Sequence, residues 1–299
     1  MPAPPTINSF DLGSIPQEIE ISIPPAGGLL NDVRVVVGSA SSKGESDLKV
    51  SYAAPLIVSP NSNTPRFVNA GGNDVMNAES PRVPTAGEQA SMFGSNFGVI
   101  GTLHLEFPDF SLIPVQVLSW THSLIDFILP PGSGSGHRIV LNTAGQSVKS
   151  FPFSYAPPRI DSYSLLAEDD DMIYGTIGGD QILIKGNDFG MQASVTIGTK
   201  SCIVLNCNHT SVTVRTPEGF GSSNTIMVIA GDTASNNNVK YVYPNPVIQS
   251  IFPRSGLSSG YSINESVPTI VRLFGRNFGA TTVPGRKRIL YFDDMDISS

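Results

Sequence analysis

Few residues in this chain have the types and spacing that chemistry needs. Histidines stand at positions 104, 122, 137 and 209. His122 and His209 occupy equivalent places, each followed by Ser or Thr and a strand-like run. A catalytic histidine needs a nucleophile and an orienting acid. Neither set recurs, so both read as turn residues, and His104 and His137 have no evident partner. Glu168-Asp169-Asp170-Asp171 and Asp293-Asp294-Met295-Asp296 are oxygen-rich. Calcium takes such ligands, but the spacing is irregular, and both runs read as solvated loops. Cys202 and Cys207 could form a disulfide. In a continuous strand their α-carbons would lie about 16 Å apart at roughly 3.3 Å per residue, against a limit of about 7 Å. The bond therefore requires a tight turn at Ile203 to Asn206; without one the thiols stay unpaired. In a secreted chain we expect the bond. A metal site would need further ligands, and none is evident. Asn208-His209-Thr210 and Asn264-Glu265-Ser266 satisfy the N-glycosylation pattern. Both lie in predicted loops, as acceptors should, so Asn208 and Asn264 are the expected glycan sites. No catalytic residue, cofactor or metal is expected.

The elements that position these residues follow from a repeat. Gly94-Ser95-Asn96-Phe97-Gly98 returns as Gly186-Asn187-Asp188-Phe189-Gly190 and as Gly275-Arg276-Asn277-Phe278-Gly279. The starts are 92 and 89 residues apart, a period that marks an array of similar domains. Each block follows an apolar run such as Gln181-Ile182-Leu183-Ile184-Lys185. A strand ending this way turns sharply: glycine takes positive φ, Asn or Asp tolerates it, and the Phe can plug the end of a core. Glycine-rich blocks can also cradle phosphate, but that needs a helix to open immediately afterwards, and the sequence offers none.

Bulk properties agree. The 299 residues are too many for one small β domain and about right for three. Apolar residues make up 40%, enough for cores, while charged residues are only 14%. Gly 29 and Pro 24 mark many turns, and short alternating runs give an all-β signature. A net charge of −7 argues against a nucleic-acid partner, which needs a basic stripe. The cluster Arg286-Lys287-Arg288 is short and reads as a solvated turn. No apolar run is long enough to span a membrane directly. Met1-Pro2-Ala3-Pro4-Pro5 is not a signal peptide, which does not exclude secretion of a mature product.

Read in order, residues 1–56 form the second half of a repeat, 57–156 and 157–244 two complete repeats, and 245–299 the first half of another. Asn61 to Pro84 is an insertion expected as an exposed loop. Val117 to Pro130 and Val204 to Pro217 align without a gap, pairing Ile125 and Phe127 with Val212 and Val214. Ile19 and Ile21 hold the same register. A one-residue slip would turn such a set to solvent, so three copies in phase imply one core plan. Pro-containing linkers at Ala156-Pro157-Pro158 and Pro244-Asn245-Pro246 would hold neighbours at nearly fixed angles.

This pattern resembles the IPT/TIG domain, an immunoglobulin-like β-sandwich. The resemblance rests on Pro246 to Gly256 as the opening, on Gly178-Gly179 and Gln181 to Phe189, on Val195-Thr196-Ile197-Gly198 with Cys202, and on Val212 to Gly219. It implies tandem sandwiches with a half-domain at each end. Val214 stands where many members carry a second cysteine, so Cys207 must pair differently or not at all. The family implies fold more than function: its domains occur in receptor stalks such as plexins, in Rel-type transcription factors and beside carbohydrate-active enzymes. Fold does not choose among these.

Half-sandwiches leave apolar faces and sheet edges exposed, inviting another chain. Either the chain is a window of a longer repeat protein, or the first half of one chain completes the last half of the next by strand complementation. The second builds a head-to-tail filament. It meets one difficulty: Pro5-Thr6-Ile7-Asn8-Ser9-Phe10 resembles the opening strand at Pro158 to Tyr163, which would then occur twice. The leading reading is a non-enzymatic extracellular structural protein, self-associating and carrying covalent glycans. The alternatives are a receptor or adhesin ectodomain, or an accessory segment of a secreted carbohydrate-active enzyme. No nucleic-acid partner is expected on this charge, and intracellular DNA binding is the least favoured reading.

Overall fold

The computed structural model describes residues 6–11, 13, 18–24, 26–42, 49–58, 67–69, 82–166, 175–256, 270–279, 291–292 and 295–296. Those residues form strands and turns, with a 3-10 turn at Gly175–Ile177. The chain divides into two units, Met1–Ala156 and Pro157–Ser299. Each contains a complete immunoglobulin-like sandwich and a partial set of strands.

In the first unit, β1 (Thr6–Asp11) pairs with β2 (Glu18–Ser22). β3 (Asn31–Asp32) pairs with β6 (Lys49–Val50), and β4 (Val36–Val37) with β5 (Ala40–Ser41). The complete sandwich follows, built from β7 (Leu56–Ile57), β8 (Phe67–Asn69), β9 (Glu88–Ser95), β10 (Thr102–Glu106), β11 (Leu112–Pro114), β12 (Gln116–Trp120), β13 (Leu124–Leu129), β14 (Arg138–Thr143) and β15 (Gln146–Lys149). One sheet has the order β11-β10-β14-β15 and the other β12-β13-β9-β7. Alternation places Ile125, Phe127 and Leu129 of β13 inward, against Met92, Leu105 and Leu141. The insertion expected as one exposed loop departs from that reading in its middle. Its residues Phe67–Asn69 form β8, which pairs with β9, and Val68 is buried, as is Val83 near its end.

The second unit repeats the plan with β16 (Arg159–Leu165), β17 (Gln181–Asn187), β18 (Ser194–Ile197), β19 (Lys200–Ser201), β20 (Ile203–Asn208), β21 (Ser211–Arg215), β22 (Asn224–Ala230), β23 (Thr233–Ala234) and β24 (Lys240–Tyr241). Its sheets run β16-β17-β21-β20 and β19-β18-β22-β23. Ile182, Ile184, Val212 and Val214 face Val195 and Val228 in a second core. β25 (Val247–Phe252) then pairs with β26 (Arg272–Arg276), and β27 (Tyr291–Phe292) with β28 (Met295–Asp296).

The same fasteners recur in three places. Tyr155 donates its hydroxyl to the Pro130 carbonyl, Tyr243 to Pro217 and Tyr52 to Pro24, at 2.7, 2.8 and 2.8 Å. The backbone N–H groups of Ile139, Val228 and Val35 donate to the hydroxyls of Ser150, Ser235 and Ser42. Each hydrogen bond is worth about 1 kcal/mol net. The described residues between 24 and 52 thus carry the same fasteners as the closing halves of both complete sandwiches.

These fasteners identify β1. Tyr52 reaches Pro24, just after β2, as Tyr243 reaches Pro217 after β21, so β2 is the counterpart of β21 and β13. The β1–β2 ladder slips between Ile7 and Ser9. The ladders β20–β21 and β12–β13 slip at the corresponding places, Val204/Asn206 and Val117/Ser119. The other neighbours of β21 and β13 pair without a slip. β1 is therefore the counterpart of β20 and β12. The likeness of Pro5 to Phe10 to the opening strand misassigns it, because the opening strand β16 carries a similar bulge between Ile160 and Ser162.

Candidate functional site

The glycine blocks are structural in all three copies. A Cβ on Gly94 would collide with the carbonyl oxygen of Leu56; on Gly186 it would meet Arg159, and on Gly275, Val247. Asn96, Asp188 and Asn277 hold φ of 60, 60 and 62°. Asn96 and Asn277 donate their side-chain amides to Ala54 and Asn245, both at 3.1 Å. Phe97 and Phe189 are fully buried.

The two aligned histidines serve this turn through their backbones. Phe97 N–H donates to the His122 carbonyl and Phe189 N–H to that of His209, both at 3.1 Å. His137 is buried among Phe107, Phe153 and Tyr155, with Nε2 3.0 Å from the Ser133 carbonyl oxygen. His104 lies in β10 opposite Val140 and Pro114. Among the described residues, no group of three or more His, Cys, Asp or Glu could hold a metal ion.

The expected disulfide is corrected. Ile203 to Asn208, where the bond needed a tight turn, is strand β20, and both cysteines are free. Leu205 bulges but does not reverse the chain. Both thiols pack against the second core. Burial pushes Cys202 up to about 12 and also raises Cys207, against a weaker lowering by a hydrogen bond from the Ala193 backbone. Neither has the depressed pKa of a reactive thiol.

Asn208 lies exposed as the last residue of β20 rather than in a loop, before the turn to β21. Its Oδ1 accepts hydrogen bonds from the N–H groups of Thr210 and Ser211 at 3.0 and 2.9 Å. Asn264, Glu168 to Asp171 and Arg286 to Arg288 lie outside the described residues, as do Asp293 and Asp294. Met295 and Asp296 form β28.

Two sheet faces remain as candidate contact surfaces. On β1 and β2, Ile7, Ile19 and Ile21 are exposed. On β25 and β26, Ile248, Ile251 and Phe274 are exposed, and Val271 immediately before β26 is exposed too. Phe278 is 38% exposed where its counterparts Phe97 and Phe189 are at 0%. A cleft of about 510 Å³ lies along β25, lined by Ile248, Ile251, Pro253 and Val271 with Arg254. Sequence periodicity predicts such faces.

Residues 172–243 match the family model described as IPT/TIG domain. No curated protein matches the chain. Several solved structures are similar. The full extracellular region of plexin A4 is 14% identical, covering 54% of this chain and 17% of that one, at TM-score 0.29. The surface glycan-binding protein PbSGBP-B from Prevotella bryantii is 14% identical, with coverage of 64% and 43% and TM-score 0.35. The I9-I11 tandem from titin is 14% identical, with coverage of 76% and 92% and TM-score 0.26. At these identities the likeness is one of fold alone. The chain spans less than half the length of the plexin and glycan-binding chains. No helix among the described residues is long and apolar enough to cross a membrane.

Proposed function

We propose that this chain is a non-enzymatic structural protein of the cell exterior, in which tandem sandwiches act as spacers of a glycosylated fibril or surface stalk. One observation carries the reading. The residues that recur from repeat to repeat are used inside the sandwiches. The glycine blocks turn strands, His122 and His209 accept turn hydrogen bonds, and the tyrosines and serines fasten the closing strands. What repeats is a mechanical module, and self-association is the partnership it favours. Asn208 and Asn264 are the glycan sites of this reading. The exposed position of Asn208 suits the first of them.

Electron microscopy of the native material tests it. Linear arrays or filaments with one 299-residue chain per repeat are expected, together with a mass loss at Asn208 on treatment with peptide N-glycosidase. Discrete particles carrying no glycan would overturn it.

A second reading, a receptor or adhesin ectodomain, draws on the insertion from Asn61 to Pro84, whose residues Phe67–Asn69 pair with β9, or on the acidic loop Glu168 to Asp171. Ligand binding lost on trimming that insertion would favour it.

A further inference from the structure

The closing hairpins β4–β5, β14–β15 and β22–β23 are alike except in length. Each starts where a backbone N–H donates to a serine hydroxyl and the serine N–H returns to the same residue's carbonyl: Val35 with Ser42, Ile139 with Ser150, Val228 with Ser235. The sequence separations are 7, 11 and 7 residues. β4–β5 ends on Val37 opposite Ala40, and β22–β23 on Ala230 opposite Thr233. β14–β15 runs two pairs further, through Asn142 opposite Ser147 to Thr143 opposite Gln146.

The extension is anchored at both ends. At its root Thr143 is 3% exposed and donates its hydroxyl to the Ile100 carbonyl at 2.9 Å. Its tip meets the strands that precede the sandwich. Gln146 is 8% exposed and donates Nε2 to the Tyr52 carbonyl at 3.2 Å. Two residues on, the Ala54 carbonyl accepts from Asn96. Ala144 lies against the turn that follows Pro24: a Cβ on Gly27 would stand 3.2 Å from the Ala144 Cβ. Gly28 beside it is buried.

The receiving turn is matched to the extension. The N–H groups of Tyr52, Tyr155 and Tyr243 donate to the carbonyls of Gly28, Gly134 and Gly221, which puts the three proline turns in register. The residue before that glycine is Gly27 in the first turn, and Ser133 and Phe220 in the others. The turn that receives the long hairpin is thus the one with no side chain at the point of contact.

We propose that β14–β15 is a strap, whose four-residue extension fixes the angle between the first complete sandwich and the strands β2 to β6 before it. The covalent tie between them is Ala53-Ala54-Pro55. Ala53 keeps two soft backbone dihedrals. Contacts at Tyr52 and at Gly27, away from that tie, block the rotations it permits. The strap serves a stalk and a receptor ectodomain alike, by keeping the direction of the neighbouring repeat fixed.

The test uses the full chain with Cys202 and Cys207 replaced by alanine. Spin labels go on Val37→Cys and Phe110→Cys, which are 73 and 78% exposed on either side of the joint. Double electron–electron resonance should give one narrow distance. Deleting Thr143 to Gln146 leaves Asn142-Ser147 as a two-residue turn, like Gly231-Asp232, and should broaden that distance. Gly27→Phe fills the contact from the other side with the sandwich untouched, and should broaden it too. Without labels, Gly27→Cys with Ala144→Cys should close a disulfide within one chain, since the bond needs Cβ atoms roughly 3.5–4.5 Å apart. Trp120 fluorescence checks that the sandwich is folded in each variant. A distance that stays narrow in the Gly27→Phe chain, or a cysteine pair that stays reduced under oxidation, would overturn the strap. Should the deletion chain fail to fold, those two measurements decide.

Discussion

At the scale of single residues, the glycine block is decided by collision distance. Gly94 sits where the Leu56 carbonyl leaves no room for a Cβ. Gly94→Ala should destabilise the first sandwich by about 3 kcal/mol, read as a lower urea midpoint of Trp120 fluorescence. Gly275→Ala meets an equivalent collision in the other unit and should leave that transition in place. The buried thiol and phenols set a pH dependence. Burial, with the Asp180 charge adding to it, raises Tyr241 to about 12, and burial raises Tyr155 and Tyr243 as well. With Cys202, these groups keep protons in the native state that the unfolded chain releases. Their contribution is complete below pH 9, the ordinary thiol value, and is lost as pH rises from 9 toward 12. The Tm should fall by about 5 °C or more between pH 8 and pH 11, and Cys202→Ala should flatten the fall. A Tm constant over that range would contradict the assignment.

At the scale of elements, closing strands are fastened by side chains from distant parts of the sequence. Tyr155 reaches back 25 residues to the Pro130 carbonyl, where the chain leaves β13. Tyr155→Phe removes the donor and leaves a carbonyl short of one partner, a cost of about 1–2 kcal/mol. Urea unfolding followed by Trp120 should show that loss. Tyr52→Phe should leave the same transition unchanged, because Tyr52 holds the partial set β2 to β6. A shift from Tyr52→Phe as large as that from Tyr155→Phe would mean that the partial set and the complete sandwich unfold as one.

At the scale of the whole molecule, a contrast in burial separates complete from partial sandwiches. Val212 and Val214 are fully buried, while Ile19 and Ile21 at the same register are not. Identical backbone plans reach different burial because a sheet buries its apolar face only when the opposing layer is present.

Much was legible in the sequence, because period and alternation are local. The 92- and 89-residue spacings announced repeats, Ile125, Phe127, Val212 and Val214 announced one core register, and the glycine blocks announced turns. The turn role of His122 and His209 followed from the missing acid and nucleophile. Three matters were decided only by tertiary structure. The cysteine spacing allowed a turn or a strand, and pairing of β20 with β21 chose the strand. The insertion from Asn61 to Pro84 read as a long polar loop, and the pairing of Phe67–Asn69 with β9 depended on an edge further along the chain. The strand at Thr6 matched two templates with similar bulges, and only the ladder with β2 and the Tyr52 hydrogen bond separated them. Local pattern specifies which residues face inward; which strand they lie beside depends on partners far away in sequence, and those exist only once the sheets have formed.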